Sequence, residues 1–210
     1  FMIGACLSQG RAQTKSAVSY KNPVVDIAMP DPTVIKAADG YFYVYATEST
    51  RNVPIMKSKD LVEWTYCNTA FTNKTRPRFE PKAGIWAPDI NYINGKYVLY
   101  YAMSVWGGEQ TCGIGVATAN SPQGPFTDHG KMFRSNEIGV QNSIDPSLLQ
   151  YEGRNYLVWG SFRGIYVIEL TADGLSIMPG AKKKRIAGTA FEAVYIHKHD
   201  DYYYMFASIG

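Results

Sequence analysis

The sequence has few cysteines, few histidines and no long apolar run. Its three cysteines (Cys6, Cys67 and Cys112) lack the C-x-x-C spacing of a metal site, and whether Cys67 and Cys112 form a disulfide stays open at this level. The three histidines are scattered, so we predict no metal site. No apolar stretch approaches the roughly 18 residues of a membrane span. These absences exclude a disulfide-rich scaffold, a zinc module and a helical membrane protein.

The sequence also lacks a large excess of charge of either sign. The 210 residues contain 21 Lys and Arg against 18 Asp and Glu, a formal net charge of +3. The one dense basic run, 182–185, is better interpreted as a solvated loop than as a phosphate site. We therefore expect no nucleic-acid partner.

Hydrophobic and aromatic residues are plentiful. Hydrophobic residues make up 46% of the chain and aromatic residues 14%, including sixteen tyrosines. This composition indicates a globular domain, and the absence of a 3.6-residue apolar period favours an all-β fold. Aromatic side chains suit both pleated strands and clefts that stack on sugars.

Four segments repeat one layout: an acid, a short apolar strand, a tight turn and a Tyr-rich strand. They begin at Asp31, Asp89, Asp145 and Glu192, and their turns are Asp39-Gly40, Asn94-Gly95, Glu152-Gly153 and Asp200-Asp201. The turn residues predict β-hairpins. The acids lie 58, 56 and 47 residues apart, which leaves room for two more strands in each unit.

The period of the repeat predicts a β-propeller of four-stranded sheets. Residues 114–118 and 165–170 have the pattern expected of third strands. The chain reaches its end after the second strand of the fourth unit, so we expect a C-terminally truncated propeller with three complete blades and half of a fourth.

The recurring acid has two explanations. Asp-Pro opens turns well, which accounts for any single Asp31 or Asp145. Recurrence needs another reason, because carboxyl groups that converge on a propeller axis repel each other. Convergent acids in a central pocket indicate catalysis or metal binding.

The N-terminal region 1–21 is interpreted as a signal-peptide remnant and linker, ahead of an incomplete catalytic propeller at 22–210. Residues Ile3 to Cys6 resemble a lipobox, which would place a lipid anchor to the outer membrane on Cys6. The alternative is an ordinary signal cleaved near Ala12-Gln13. Both predict export, as a periplasmic or cell-surface lipoprotein or as a secreted protein.

Several motifs together resemble glycoside hydrolase family 43 from about Asn22 to Gly210. They are Pro30-Asp31-Pro32, Trp86-Ala87-Pro88-Asp89, Asn142-Ser143-Ile144-Asp145-Pro146, Gly160-Ser161-Phe162-Arg163-Gly164-Ile165 and Glu192-Ala193-Val194-Tyr195-Ile196. The resemblance implies a five-bladed propeller of arabinanases, arabinofuranosidases and xylosidases. Many arabinanases carry His where this chain has Pro30, which bears on the subtype.

The resemblance also implies catalytic roles. Asp31 would be the general base, Glu192 the general acid, and Asp145 the carboxylate that orients Glu192 and keeps it protonated. Such a family inverts the anomeric configuration, which requires one carboxylate to activate water and a protonated carboxyl on the opposite face of the sugar.

Six further residues are predicted to bind substrate. Trp86 would form the floor of the sugar site, or else anchor a blade from within. Asp89 is placed at the pocket rim, with a structural turn role as the alternative. Trp106 would be a cleft wall. Ser161, Phe162 and Arg163 would line the cleft, unless Arg163 pairs with a surface acid.

The implied function is inverting hydrolysis of α-1,5-linked arabinan by an endo-acting enzyme. An exo-acting α-L-arabinofuranosidase or β-xylosidase and a non-catalytic carbohydrate-binding propeller are the alternatives. We expect arabinan or arabinoxylan oligosaccharides as ligands, a monomer, and no cofactor required for the chemistry. An axial structural ion would have ligands outside this chain.

Overall fold

The computed structural model describes residues 19–209. The predictions for the signal remnant, for lipidation of Cys6 and for cleavage near Ala12-Gln13 fall on residues outside this range. Within the described range, no helix is both long enough and apolar enough to cross a bilayer.

The described residues form fourteen β-strands and one short helix. In chain order they are β1 (Thr33–Lys36), β2 (Phe42–Tyr45), β3 (Pro54–Ser58), β4 (Thr65–Thr69), β5 (Gly84–Ile93), β6 (Lys96–Ser104), β7 (Gly113–Ala119), β8 (Thr127–Arg134), α1 (Ser135–Ile138), β9 (Ser147–Tyr151), β10 (Arg154–Trp159), β11 (Ile165–Glu169), β12 (Lys184–Ala187), β13 (Phe191–His199) and β14 (Tyr202–Ile209).

Consecutive strands pair antiparallel and form four separate sheets. Strands β1–β4 form blade I, β5–β8 form blade II and β9–β12 form blade III, while β13 and β14 form a two-stranded hairpin. The predicted all-β architecture of four-stranded antiparallel sheets is confirmed. So are both predicted third strands, since 114–118 lies in β7 and 165–170 covers β11.

The predicted turns connect the first two strands of each unit. Gly40, Gly95 and Gly153 have φ angles of 85°, 81° and 73°, and Asn94 and Asp200 lie in the same left-handed region at 48° and 50°. Glycine and asparagine reach this region at little cost, which is why these dipeptides predicted hairpins correctly.

The core lies between the blades. Buried side chains of blades I and II form one cluster, which includes Tyr43, Ile55 and Leu99. A second cluster joins blades II and III around Tyr100 and Trp159. The innermost strands β1, β5, β9 and β13 are therefore held side by side around the axis.

The two cysteines in the described range do not form a disulfide. Cys67 lies in β4 of blade I and Cys112 precedes β7 of blade II, and both carry free thiols. The pairing that the sequence left open is therefore excluded.

Candidate active site

Each innermost strand has a residue in a left-handed backbone conformation near its start, two residues before β1 and β9 and within the first four residues of β5 and β13. These residues are Asp31, Ala87, Asp145 and Ala193, with φ angles of 48°, 39°, 56° and 50°. Asp31, Ala87 and Asp145 each precede a proline, whereas Ala193 precedes a valine. A non-glycine residue in this region is strained, and such strain is concentrated at functional sites.

The four left-handed residues occupy equivalent positions in the four innermost strands. This equivalence corrects the alignment of the repeats, which was predicted from the acids. Asp89 lies two residues after Ala87, and Glu192 lies one residue before Ala193. Pairing irregularities between Trp86 and Asp89 in β5 and between Glu192 and Tyr195 in β13 account for the offsets. Blade II therefore has no acid at the repeated position.

Three acids share one cleft. A cavity of about 620 Å³ lies on the face of the propeller where the innermost strands begin. Asp31 of blade I, Asp145 of blade III and Glu192 of the hairpin all line it, together with Trp86, Trp106, Ser161 and Phe162. The structure thus brings together seven of the nine predicted site residues.

Asp145 carries the strongest electrostatic perturbation in the cleft. Burial, followed by the nearby carboxyls of Glu192 and Asp31, raises the pKa of Asp145 to about 7, although a hydrogen bond donated by Ala193 N–H at 3.2 Å acts in the opposite direction. The three carboxyls therefore retain a proton near neutral pH. The family resemblance implied that Glu192 carries this proton. In the structure, the carboxyl whose pKa is raised is that of Asp145.

Hydroxyl groups hold the other two acids. Thr47 donates a hydrogen bond to Asp31 Oδ2 at 2.5 Å, and its Oγ1 accepts one from Ala87 N–H at 2.6 Å. Ser161 donates to Glu192 Oε2 at 3.0 Å. Sequence reasoning missed Thr47, because it follows the Tyr-rich strand of the first unit and belongs to no recognisable motif.

Two tryptophans form an aromatic wall of the cleft. The rings of Trp86 and Trp106 lie 5.6 Å apart at 53°, and Trp106 is 94% exposed. Trp86 is half-buried against Ala102, Cys112 and Ile144, so it combines both predicted roles, blade anchor and cleft surface. A side chain at Gly84 would collide with the indole nitrogen of Trp86, so a larger residue there would displace the indole from its position in the cleft wall.

Arg163 and Asp89 do not line the cleft. The Arg163 guanidinium makes two hydrogen bonds to the carboxylate of Glu109, at 2.9 and 3.0 Å, and it is Glu109 that lines the cleft. Of the two predictions for Arg163, the alternative that it pairs with an acid is therefore the one that the structure supports.

Asp89 lines a second cavity of about 380 Å³ along the inner strands, and this cavity adjoins the cleft because Asp31 and Asp145 line both. Its Oδ2 accepts hydrogen bonds from Leu148 N–H at 2.8 Å and from the Asn91 amide at 2.7 Å, and Oδ1 accepts one from Thr33 at 3.5 Å. Burial raises its pKa to about 6. Asp89 thus connects the first strands of blades I, II and III.

The cleft has polar residues that the predictions did not include. Asn142 has a φ of 54° and donates to the Ser161 carbonyl at 3.0 Å, which joins two of the sequence motifs. Ser104, Glu109 and Ser208 also line the cleft. Asn142 could have been found from its place in the Asn142–Pro146 motif.

Between residues 19 and 209, no group of three or more His, Cys, Asp or Glu side chains is arranged to hold a metal ion.

Comparison with known proteins identifies the architecture. The sequence model of glycosyl hydrolases family 43 matches residues 20–210. The chain belongs to this family. Relatives of this family are five-bladed propellers, and the described residues supply three blades and a hairpin of that fold.

Three relatives are informative. The extracellular endo-α-(1→5)-L-arabinanase 1 of Bacillus subtilis strain 168 is 35% identical over 192 residues, which cover 85% of this chain and 58% of the relative. The Cellvibrio cellulosa α-L-arabinanase complexed with arabinohexaose has a TM-score of 0.77 at 28% identity, covering 88% and 65% of the two chains. An exo-1,5-α-L-arabinanase from a bovine ruminal metagenomic library has a TM-score of 0.73 at 31% identity, covering 86% and 64%. The chain thus spans about three fifths of the length of these relatives.

Proposed function

We propose that this protein hydrolyses α-1,5-linked arabinan with inversion of configuration at the cleft formed by blades I, II and III and the β13–β14 hairpin. The observation that carries the proposal is the convergence of Asp31, Asp145 and Glu192 in one cavity, with the pKa of Asp145 raised to about 7. Three relatives named as arabinanases, one of them complexed with arabinohexaose, support the substrate class.

The chemistry assigns one role to each acid. Asp31, held by Thr47, takes a proton from water as the water attacks the anomeric carbon. Glu192, held by Ser161, donates a proton to the departing glycosidic oxygen. Asp145 faces both groups and keeps one proton within the acid group near neutral pH, so that a donor is available when substrate binds.

Amide variants test these roles. Glu192→Gln and Asp31→Asn keep the shape of each side chain but cannot transfer the proton, and each should lower kcat on linear arabinan by roughly 10²–10⁴-fold. Glu152→Gln changes an acid in the exposed β9–β10 turn and serves as the matched control. Full activity in either cleft variant would contradict the mechanism, and a wild type that binds arabinan without cleaving it would favour a non-catalytic carbohydrate-binding propeller.

We propose endo-action, as in the named Bacillus relative. The relative named as an exo-1,5-α-L-arabinanase has a similar fold but acts from chain ends. The products released from arabinan must therefore be measured to distinguish endo-action from exo-action. Oligosaccharides released from linear arabinan, without cleavage of aryl arabinosides or xylosides, support an endo-arabinanase. Release of single arabinose units, or cleavage of an aryl glycoside, would instead indicate an arabinofuranosidase or xylosidase.

We also propose that the protein is exported, since the Bacillus relative is named as extracellular. A lipid anchor on Cys6 is the more specific form of this proposal. Metabolic labelling with palmitate should mark the natural protein and not a Cys6→Ser variant. Unlabelled protein in the culture medium would point to an ordinary cleaved signal.

A further inference from the structure

A third cavity on the molecule is lined mainly by cations. It has a volume of about 370 Å³ and lies between blades I and II. Its charged lining residues are Arg51, Arg76, Arg78, Lys82 and one acid, Glu80. The mechanism above uses none of them.

Two of the charges are neutralised within the fold. Arg76 is buried and forms an ion pair with Glu48, and it also donates to the Ala83 carbonyl at 2.8 Å. Glu80 pairs with Arg134 at 2.6 Å. The buried pairs give the cavity a rigid wall, and neither of them supplies a free charge.

Three cations remain without an acid. Between residues 19 and 209, Arg51, Arg78 and Lys82 form no ion pair. Asn73 holds the two arginines toward each other, since its Oδ1 accepts from Arg51 Nε at 3.0 Å and its carbonyl accepts from Arg78 Nη2 at 2.9 Å. Both guanidinium groups keep further N–H donors free, in a geometry suited to carboxylate oxygens.

Arg51, Arg78 and Lys82 are exposed like charges on one cavity, and an anionic ligand would reduce the repulsion between them. The cavity is also close to the cleft along three chain segments. Glu48, the partner of Arg76, follows Thr47, and Met103 of this cavity precedes Ser104 of the cleft. Thr111, which donates to Glu80 at 3.2 Å, closes the loop that carries Trp106 and Glu109.

We propose that this cavity binds a carboxylate-bearing sugar of an acidic polysaccharide while neutral arabinan occupies the cleft. This inference rests on the proposed function, because it requires one polymer to place neutral arabinan in the cleft and a carboxylate-bearing sugar in the cationic cavity. Arg51 and Arg78 bind the carboxylate with their free N–H donors, and Lys82 supplies the third positive charge. Binding therefore weakens as salt rises.

The test is direct binding of an oligosaccharide of galacturonic acid to the whole protein by calorimetry. The methyl ester of the same oligosaccharide is the control ligand, because it keeps the sugar and removes the charge. An Arg78→Gln/Lys82→Gln variant should weaken binding of the acid about tenfold, the effect of losing two exposed charged contacts. A Lys182→Gln/Lys183→Gln variant makes the same change in net charge elsewhere and should bind normally.

The outcomes separate this inference from the proposed function. Equal binding of acid and ester, or equal binding by the two double variants, overturns the acidic-sugar site. Both double variants should retain wild-type activity on short neutral arabino-oligosaccharides, which do not carry the carboxylate. If the wild type binds the acid but cleaves no arabinan, the proposed function fails and the acidic-sugar site stands.

Discussion

At the scale of single residues, the most informative contact is between Thr47 and Asp31. The Thr47 hydroxyl is fixed from both sides, because it donates to Asp31 and accepts from Ala87 N–H. It therefore fixes the proposed base relative to the neighbouring blade. Thr47 lines the cleft, and we propose that it acts through Asp31 as a positioning residue.

Replacing Thr47 tests that interpretation. Thr47→Val keeps the shape but removes both hydrogen bonds, and we expect kcat on linear arabinan to fall about tenfold with KM little changed. Thr47→Ser restores the hydroxyl and should recover most of the activity. If the valine and serine variants have equal kcat, the hydroxyl does not position Asp31.

The raised pKa of Asp145 predicts that this side chain lowers the stability of the protein even though catalysis needs it. Its pKa lies near 7 in the folded protein against an ordinary value of 3.8, so between these two pH values the folded state binds more protons than the unfolded state. The free energy of unfolding therefore falls as pH rises from about 4 to about 7. An asparagine cannot ionise, and it avoids this loss.

Urea denaturation checks this prediction. Above pH 7, Asp145→Asn should be more stable than the wild type by ~1–3 kcal/mol, a value reduced from the full pKa shift because solvent reaches part of the side chain. Near pH 4 the two proteins should be about equally stable. A stability difference that does not change with pH would contradict the raised pKa. The variant should nevertheless lose activity.

At the scale of elements, Asp89 ties the innermost strands together. It accepts hydrogen bonds from Leu148 of β9 and Thr33 of β1, and these strands begin just after Asp145 and Asp31. Asp89 itself lies in β5, between the two. The position of Asp89 therefore affects the spacing of the two proposed catalytic acids, with which it lines one cavity.

Two substitutions separate hydrogen bonding from charge at Asp89. Asp89→Ala leaves the buried Leu148 N–H without its acceptor and should cost ~2–4 kcal/mol of the free energy of unfolding. Asp89→Asn keeps an oxygen for that hydrogen bond and should cost less than ~1 kcal/mol. Thermal denaturation compares them, and equal losses would show that the charge, and not the acceptor, is what the fold needs.

The sequence predicted the strands and turns of this protein well, because each hairpin has local turn chemistry. Asn94-Gly95 specifies its hairpin through positive φ angles. The bulges in β5 and β13 have no such local signal, because they arise where strands pair with their neighbours. The incorrect alignment of Asp89 with the other repeat acids follows from this difference, and so does the omission of Thr47, whose role depends on a contact between blades.

At the scale of the whole molecule, the site exists only because separate sheets pack against each other. Asp31, Asp145 and Glu192 come from three different sheets, and the buried clusters between the blades hold those sheets together. A repeat of about 50 residues predicted this convergence, since the first strand of every blade faces the axis. The separation of the cationic cavity from the cleft could not be predicted, because its residues are spread over 51–103 without a motif.

The central claim is that the three carboxyls lie close enough to influence one another. The most direct measurement is the pKa of Asp145, followed through the ¹³C chemical shift of its carboxyl carbon by NMR. We expect a pKa near 7 in the wild type, and a lower value in Glu192→Gln and in Asp31→Asn, because each variant removes one neighbouring negative charge. A wild-type pKa near 3.8, or a pKa that neither variant changes, would contradict the account.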